Sequence, residues 1–276
     1  MDHIVDAQDP RLADYRNLTD AEARRRIEGD DTDGIFIVEG VLALQQLRDS
    51  DHQVRSVVVT PGRAESLSAL LSDLAGGGAQ ILVAERSVLA GVTGYDVHRG
   101  VLAVARRRPL PDLAQILGAA RRVVVLEGLN DHENLGSVFR NCAALDVDAV
   151  LLDDRSADPL YRRSIRVSLG WAMRVPYTRI GPLPEGIEAL RAAGWTTIAL
   201  TPAPDSVAVD HAVAAGLLDD PVALVVGAEG PGLSPTTMAA CDHRVRIPMR
   251  EGVDSLNVAT ALAVVASFAA AQRSWT

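Results

Sequence analysis

Short β-branched runs alternate with helical periods along nearly the whole of this 276-residue chain, which restricts it to an α/β architecture. The first series opens with a strand at Ile35–Val38 and a helix over Val41–Arg48. A strand at Val54–Val59, a helix near Glu65–Leu74 and strands at Ile81–Val83 and Val101–Val104 complete it. The second series starts at Val123–Leu126, an unbroken apolar run suited to a strand buried on both faces of a parallel sheet. A helix over Leu135–Leu145 follows, with Leu135, Val138, Phe139, Cys142 and Leu145 on one stripe. Further strands are expected at Ala149–Leu152, Thr196–Leu200, Ala223–Val226 and Val245–Ile247. The final helix, Leu256–Ala271, is apolar nearly all round, so it is expected to be covered on several sides and to offer a dimer interface.

Between the two series, Arg106-Arg107-Arg108-Pro109-Leu110-Pro111 breaks the pattern with charge and proline. The expected division is a polar leader over 1–34, a small α/β sandwich over 35–106, a linker over 107–120 and a larger α/β domain over 121–276. Within the leader one helix fits Asp20–Glu28.

Composition removes several function classes. No stretch reaches the roughly 18 apolar residues of a membrane span, and the acidic start lacks the pattern of a signal peptide. Cys142 and Cys241 match no metal or redox spacing, so no metal is expected and a reducing cytoplasm is the expected compartment. The net charge of −9 argues against nucleic acid until it is located. Residues 1–33 hold ten acids against five arginines, whereas residues 151–180 hold Arg155, Arg162, Arg163, Arg166, Arg174 and Arg179 against three aspartates. A local basic patch is what phosphate contact requires. All 27 basic residues are arginine, which reads more simply as genome composition than as function.

Three loops can hold a cofactor. In Asn134-Leu135-Gly136-Ser137-Val138-Phe139-Arg140, Asn134 is placed to cap the following helix, and Arg140 lies one turn beyond Gly136 and away from the apolar stripe. In Gly227-Ala228-Glu229-Gly230-Pro231-Gly232, the glycines at the end of a buried strand allow a tight turn that presents backbone groups. A tight turn leaves Glu229 unexplained. The third loop, Ile247 to Asn257, sets Ser255 and Asn257 at the start of the last helix, where capping accounts for only one of them. No GxxxxGK or GxGxxG spacing is present, which disfavours Rossmann dehydrogenases and small-molecule nucleotide enzymes.

Taken together, Asn134 with Arg140, Gly227-Ala228-Glu229-Gly230, and Ser255-Leu256-Asn257-Val258 resemble the three ordered motifs of the SpoU/TrmH branch of SPOUT RNA methyltransferases. Asp158-Pro159-Leu160-Tyr161 through Gly170 resembles the stretch between the first two. Phe36 to Gly40 and His98 to Ala103 are similar to that family's substrate-binding domain, which has a ribosomal-protein-like fold. Two departures are Asp131-His132, where the family often has Asp-Pro, and Asp146, where it often has glycine.

The resemblance implies a C-terminal SPOUT domain with a deep trefoil knot, against the general rule that chains do not thread loops. It implies S-adenosylmethionine held near Leu200, Gly227, Ile247 and Leu256, and a homodimer through the C-terminal domain with the active site at the interface. Catalytic roles fall to Arg140, Asn134, Glu229, Ser255 and Asn257, acting on a ribose 2'-hydroxyl, by analogy in ribosomal RNA. Arginine is an awkward general base, so the expected role of Arg140 is to bind the neighbouring phosphate and align the hydroxyl. The alternatives are a tRNA 2'-O-methyltransferase, a base-methylating SPOUT enzyme and a non-catalytic RNA-binding protein.

Overall fold

The computed structural model describes residues 1–16 and 34–271, so the helix expected over Asp20–Glu28 lies outside the described residues. The chain divides into two compact units, Met1–Leu110 with Leu160–Arg174, and Pro111–Pro159 with Val175–Thr276.

The first unit is built on β1 (Asp2–Ile4), β2 (Ile35–Glu39), β3 (Val54–Val59), β4 (Gln80–Ala84) and β5 (Val101–Arg106). They form one mixed sheet in the order β1-β4-β3-β5-β2, with β5 antiparallel to both neighbours. The single helix expected near Glu65–Leu74 is two, Pro61–Ser66 and Ser68–Gly76. The leader also needs correction at its start. β1 pairs in parallel with β4, and the 3-10 turn Pro10–Tyr15 buries Leu12 and Tyr15. The Tyr15 and Ser56 hydroxyls hydrogen-bond at 2.8 Å, and burial pushes the phenol above its usual range. Ile4, Leu12 and Tyr15 follow no regular period, so a stretch dominated by acids hid them.

The linker over 107–120 is largely structured. The amide of the buried Arg107 donates to the Gly34 carbonyl at 2.8 Å, extending the pairing of β5 with β2. The helix Leu113–Ala119 opens with a capping box between Asp112 and Gln115 and buries Ile116 in the core of the second unit.

The six arginines of 151–180 divide between the units: Arg162, Arg163, Arg166 and Arg174 fall in the first unit, Arg155 and Arg179 in the second. Arg162 stacks 4.6 Å over the Tyr95 ring, donates to its hydroxyl and lies 3.9 Å from the buried Glu39 carboxylate. Burial, opposed by Arg162, pushes the Tyr95 phenol up to about 12. Arg174 donates to Gln46 at 3.0 Å. Close packing seals this attachment, since a Cβ at Gly170 would sit 2.7 Å from the Gln46 side chain. These arginines fasten Leu160–Arg174 to its own unit.

The second unit contains β6 (Arg122–Glu127), β7 (Ala149–Leu152), β8 (Tyr177–Arg179), β9 (Thr196–Leu200), β10 (Val207–Ala208), β11 (Val222–Gly227) and β12 (His243–Arg246). All pair in parallel, in the order β10-β12-β9-β11-β6-β7-β8. The valines of β6 and β11 are fully buried at the centre, as their unbroken apolar runs require. From β6 the chain proceeds to β7 and β8 on one side, then resumes beyond β11 on the other. The loops after β6 and β11 therefore meet where strand order reverses.

β12 ends at Arg246, which leaves Ile247 in the following loop. The last helix is Val258–Ala270 and packs along His132–Ala144, with Leu262, Val265, Ala266 and Ala269 buried. It is not covered all round: Phe268 is 39% exposed. The buried Arg122 donates to the Ala269 carbonyl at 3.0 Å, tying the end of this helix to the start of β6. Among the described residues no helix is long and apolar enough to cross a membrane.

Candidate functional site

The helix His132–Ala144 is capped by Asp131, whose Oδ1 accepts from the amides of Glu133 and Asn134 at 2.9 and 2.7 Å. The expectation that Asn134 caps it is thereby corrected. Relieved of that task, the Asn134 side chain donates through Nδ2 to Glu229 Oε2 at 2.8 Å. Its Oδ1 accepts from Asn257 Nδ2 at 2.7 Å. Asn257 also caps the last helix, accepting through Oδ1 from the amides of Ala259 and Thr260. One residue from each of the three loops thus joins a continuous relay, with the middle amide fixed at both ends.

Glu229 and Asn257 stand on the wall of a cavity of about 420 Å³, within the range of small-molecule sites. Leu200, Gly227, Ile247 and Leu256 all line it, as does the exposed Ser255. The loops after β9, β11 and β12 close around it at the carboxyl edge of the sheet, and Thr201, Pro202 and Met249 add walls that sequence patterning did not single out. Gly227 is required by close packing: a Cβ there would lie 2.2 to 2.4 Å from backbone atoms of Gly232 and Leu233. That approach folds the loop back, and the Gly232 amide donates to the Ala228 carbonyl at 3.0 Å.

Arg140 is not brought to this cavity within the chain. It is exposed on the helix His132–Ala144 and, among the described residues, has no hydrogen-bond or ion-pair partner. Among the described residues no group of acids, histidines and cysteines could hold a metal ion.

Sequence reasoning passed over Glu127, the buried acid that ends β6. It accepts from the Ser234 amide and the Thr237 hydroxyl, each at 2.9 Å, and from Arg155 at 3.3 Å. Asp153 holds the Arg155 Nε at 3.2 Å and the Gly128 amide at 3.0 Å. This network anchors the far end of the Glu229 loop. A lone acid closing the apolar run RVVVLE was the available signal.

Comparison with known proteins places the geometry in context. The SpoU rRNA Methylase family matches residues 121–267, and the family of RNA 2'-O ribose methyltransferase substrate-binding domains matches residues 37–111. A protein of Mycobacterium bovis named as an uncharacterized tRNA/rRNA methyltransferase is 46% identical over 261 residues, covering 95% of this chain and 88% of the relative. A 23S rRNA (guanosine-2'-O-)-methyltransferase of Photorhabdus laumondii is 34% identical over 249 residues, covering 86% and 98%. Among solved structures, an rRNA methyltransferase from Sinorhizobium meliloti superposes with TM-score 0.78 at 22% identity, covering 98% of this chain and 97% of that one. The SpoU methyltransferase AviRb from Streptomyces viridochromogenes gives 0.77 at 24%, covering 96% and 98%. Those structures establish a shared fold across both units. With both family matches and the mycobacterial identity spanning nearly its whole length, the chain belongs to the SpoU family of S-adenosylmethionine-dependent RNA 2'-O-ribose methyltransferases.

Proposed function

We propose that this enzyme methylates the 2'-hydroxyl of a guanosine in ribosomal RNA, with the relay Glu229–Asn134–Asn257 at its centre. The relay carries the reading because its two ends, Glu229 and Asn257, stand on the wall of a cavity lined by all four residues expected to hold the cofactor. Apolar Leu200, Ile247 and Leu256 with the backbone at Gly227 suit an adenosine moiety, and polar Ser255 suits a charged amino-acid tail. When bound there, S-adenosylmethionine supplies an electrophilic methyl group.

The chain's own residues prepare the acceptor. Asn134, held at both ends, fixes the Glu229 carboxylate, whose Oε1 remains to accept from the ribose hydroxyl as its proton leaves. Ser255 faces the cofactor tail, and Arg140, reaching the site of a second copy of the chain, clamps the phosphate adjoining the acceptor there. The preference for ribosomal RNA and guanosine is supported by the Photorhabdus relative, which bears the name of a 23S rRNA (guanosine-2'-O-)-methyltransferase.

A homodimer through the last helix belongs to the same proposal. Exposed Phe268 beside half-buried Val264 supports it, and so does exposed Arg140, which stands on the wall of neither cavity at this sheet edge and would serve a partner's site. Sedimentation velocity reads the state directly. The trefoil knot is likewise proposed, supported by β12 lying between β9 and β10 while the chain returns to the helix His132–Ala144. Reducing cytoplasm remains the proposed compartment, in keeping with two free cysteines.

The decisive experiment maps alkali-resistant, 2'-O-methylated positions in ribosomal RNA from cells with and without the gene. Loss of one 2'-O-methylguanosine is expected. A lost base methylation, or a change confined to tRNA, overturns the proposal.

A further inference from the structure

We propose that a second cavity, at the switch point of the parallel sheet, is the base pocket for the acceptor nucleotide and that it takes guanine. The proposal rests on the methyltransferase reading above. This cavity, of about 640 Å³, is enclosed by the loops after β6, β7 and β11. Ligands of open parallel sheets bind in the crevice where strand order reverses, which is where these loops meet. Ala228 and Glu229 line both cavities, so a nucleotide in the second lies against the wall of the first. An acceptor has to occupy space adjoining the methyl donor.

The unengaged polar groups decide what fits. Arg155 reaches the cavity, but Glu127 at 3.3 Å and Asp153 at 3.2 Å already meet its charge. With Glu229 Oε1 assigned to the ribose, the wall still offers Asp131 Oδ2, whose sister oxygen caps the helix, and the exposed Asn130 amide. A carboxylate oxygen beside an amide repels phosphate. It suits guanine, whose adjacent N1–H and exocyclic amino group can share Asp131 Oδ2 while O6 accepts from the Asn130 amide. Adenine presents an unprotonated N1 at the same place, which sets lone pair against lone pair. Leu129 and Leu233 provide apolar walls for the ring face.

Saturation-transfer NMR on the full chain with S-adenosylhomocysteine, offering guanosine, inosine and adenosine 5'-monophosphates, tests this. Guanosine is expected to show the strongest contact, inosine a weaker one for want of the amino group, and adenosine none. Asn130→Ala and Asp131→Asn should each weaken guanosine binding about fivefold or more. Asparagine retains the helix cap, so Asp131→Asn is expected to fold normally and to hold S-adenosylhomocysteine as the parent does. Equal contact by adenosine, no guanosine contact, or indifference to both substitutions overturns the pocket. Turnover on an unmodified 23S rRNA transcript is read separately. Absence of ribose methylation there retires the ribosomal-RNA reading while the mononucleotide result still decides the pocket.

Discussion

At the scale of single residues, Asn134 and Arg140 occupy one helix and have opposite situations. Asn134 is buried with both ends of its amide engaged, whereas Arg140 is exposed with no partner among the described residues. A clamp for phosphate needs the second situation. Arg140→Ala should weaken RNA binding about tenfold, and Arg140→Lys should restore part of it, because lysine keeps the charge and loses the planar fork. If both variants bind RNA normally in filter assays and only turnover fails, the arginine acts in the chemistry instead. Gly227 is a different kind of necessity. Gly227→Ala forces a methyl into backbone 2.2 Å away, which should destabilise the fold by roughly 1–3 kcal/mol in denaturant titration. The same change should weaken S-adenosylmethionine binding in calorimetry by at least about tenfold, because the displaced loop carries Glu229.

Among the elements, the turn from the helix Pro235–Ala240 into β12 is held to β9 by Asp242. Its carboxylate accepts from the Thr197 amide at 2.9 Å and hydroxyl at 2.7 Å, while half-exposed Arg191 adds a weaker pair. Burial alone would raise this carboxyl, but the bonds from Thr197 together with the Arg191 guanidinium outweigh it and hold it below the ordinary carboxylate range. Stabilisation from a depressed carboxylate is present above its unfolded value near 3.9 and is lost as pH falls through the lower folded value. Asp242→Asn should therefore cost about 1–2 kcal/mol at pH 7, and thermal melts of the two proteins should converge in strong acid. The long central strands were legible because RVVVL and VALVV are β-branched and continuous. β1, β8 and β10 were not: three, three and two residues carry no period, and neighbouring strands alone define them. The same limit hid the site's connectivity. All three loops could be picked out, but the bonds joining Asn134 to Glu229 and Asn257 span 95 and 123 positions. Their existence also depended on Asp131, and not Asn134, capping the helix.

At the scale of the whole molecule, the domain plan and the arginine patch each changed meaning once the fold was known. The arginines of 151–180 read as one phosphate surface, but Arg162 and Arg174 are fasteners that close Leu160–Arg174 onto the first unit. That unit is incomplete without its distant segment. A fragment ending at Leu110 should melt lower and bind more hydrophobic dye than one with residues 160–174 appended through a flexible linker. Equal melting of the two would show the segment to be dispensable. The interleaved arrangement also bears on how such proteins diversify. A single recombination event near Leu110 would give a chimera whose first unit must accept a foreign Leu160–Arg174, with mismatched partners for Glu39, Tyr95 and Gln46. Exchange of RNA-recognition modules between relatives therefore requires two coordinated replacements, and inheritance of both units as one block is the favoured outcome.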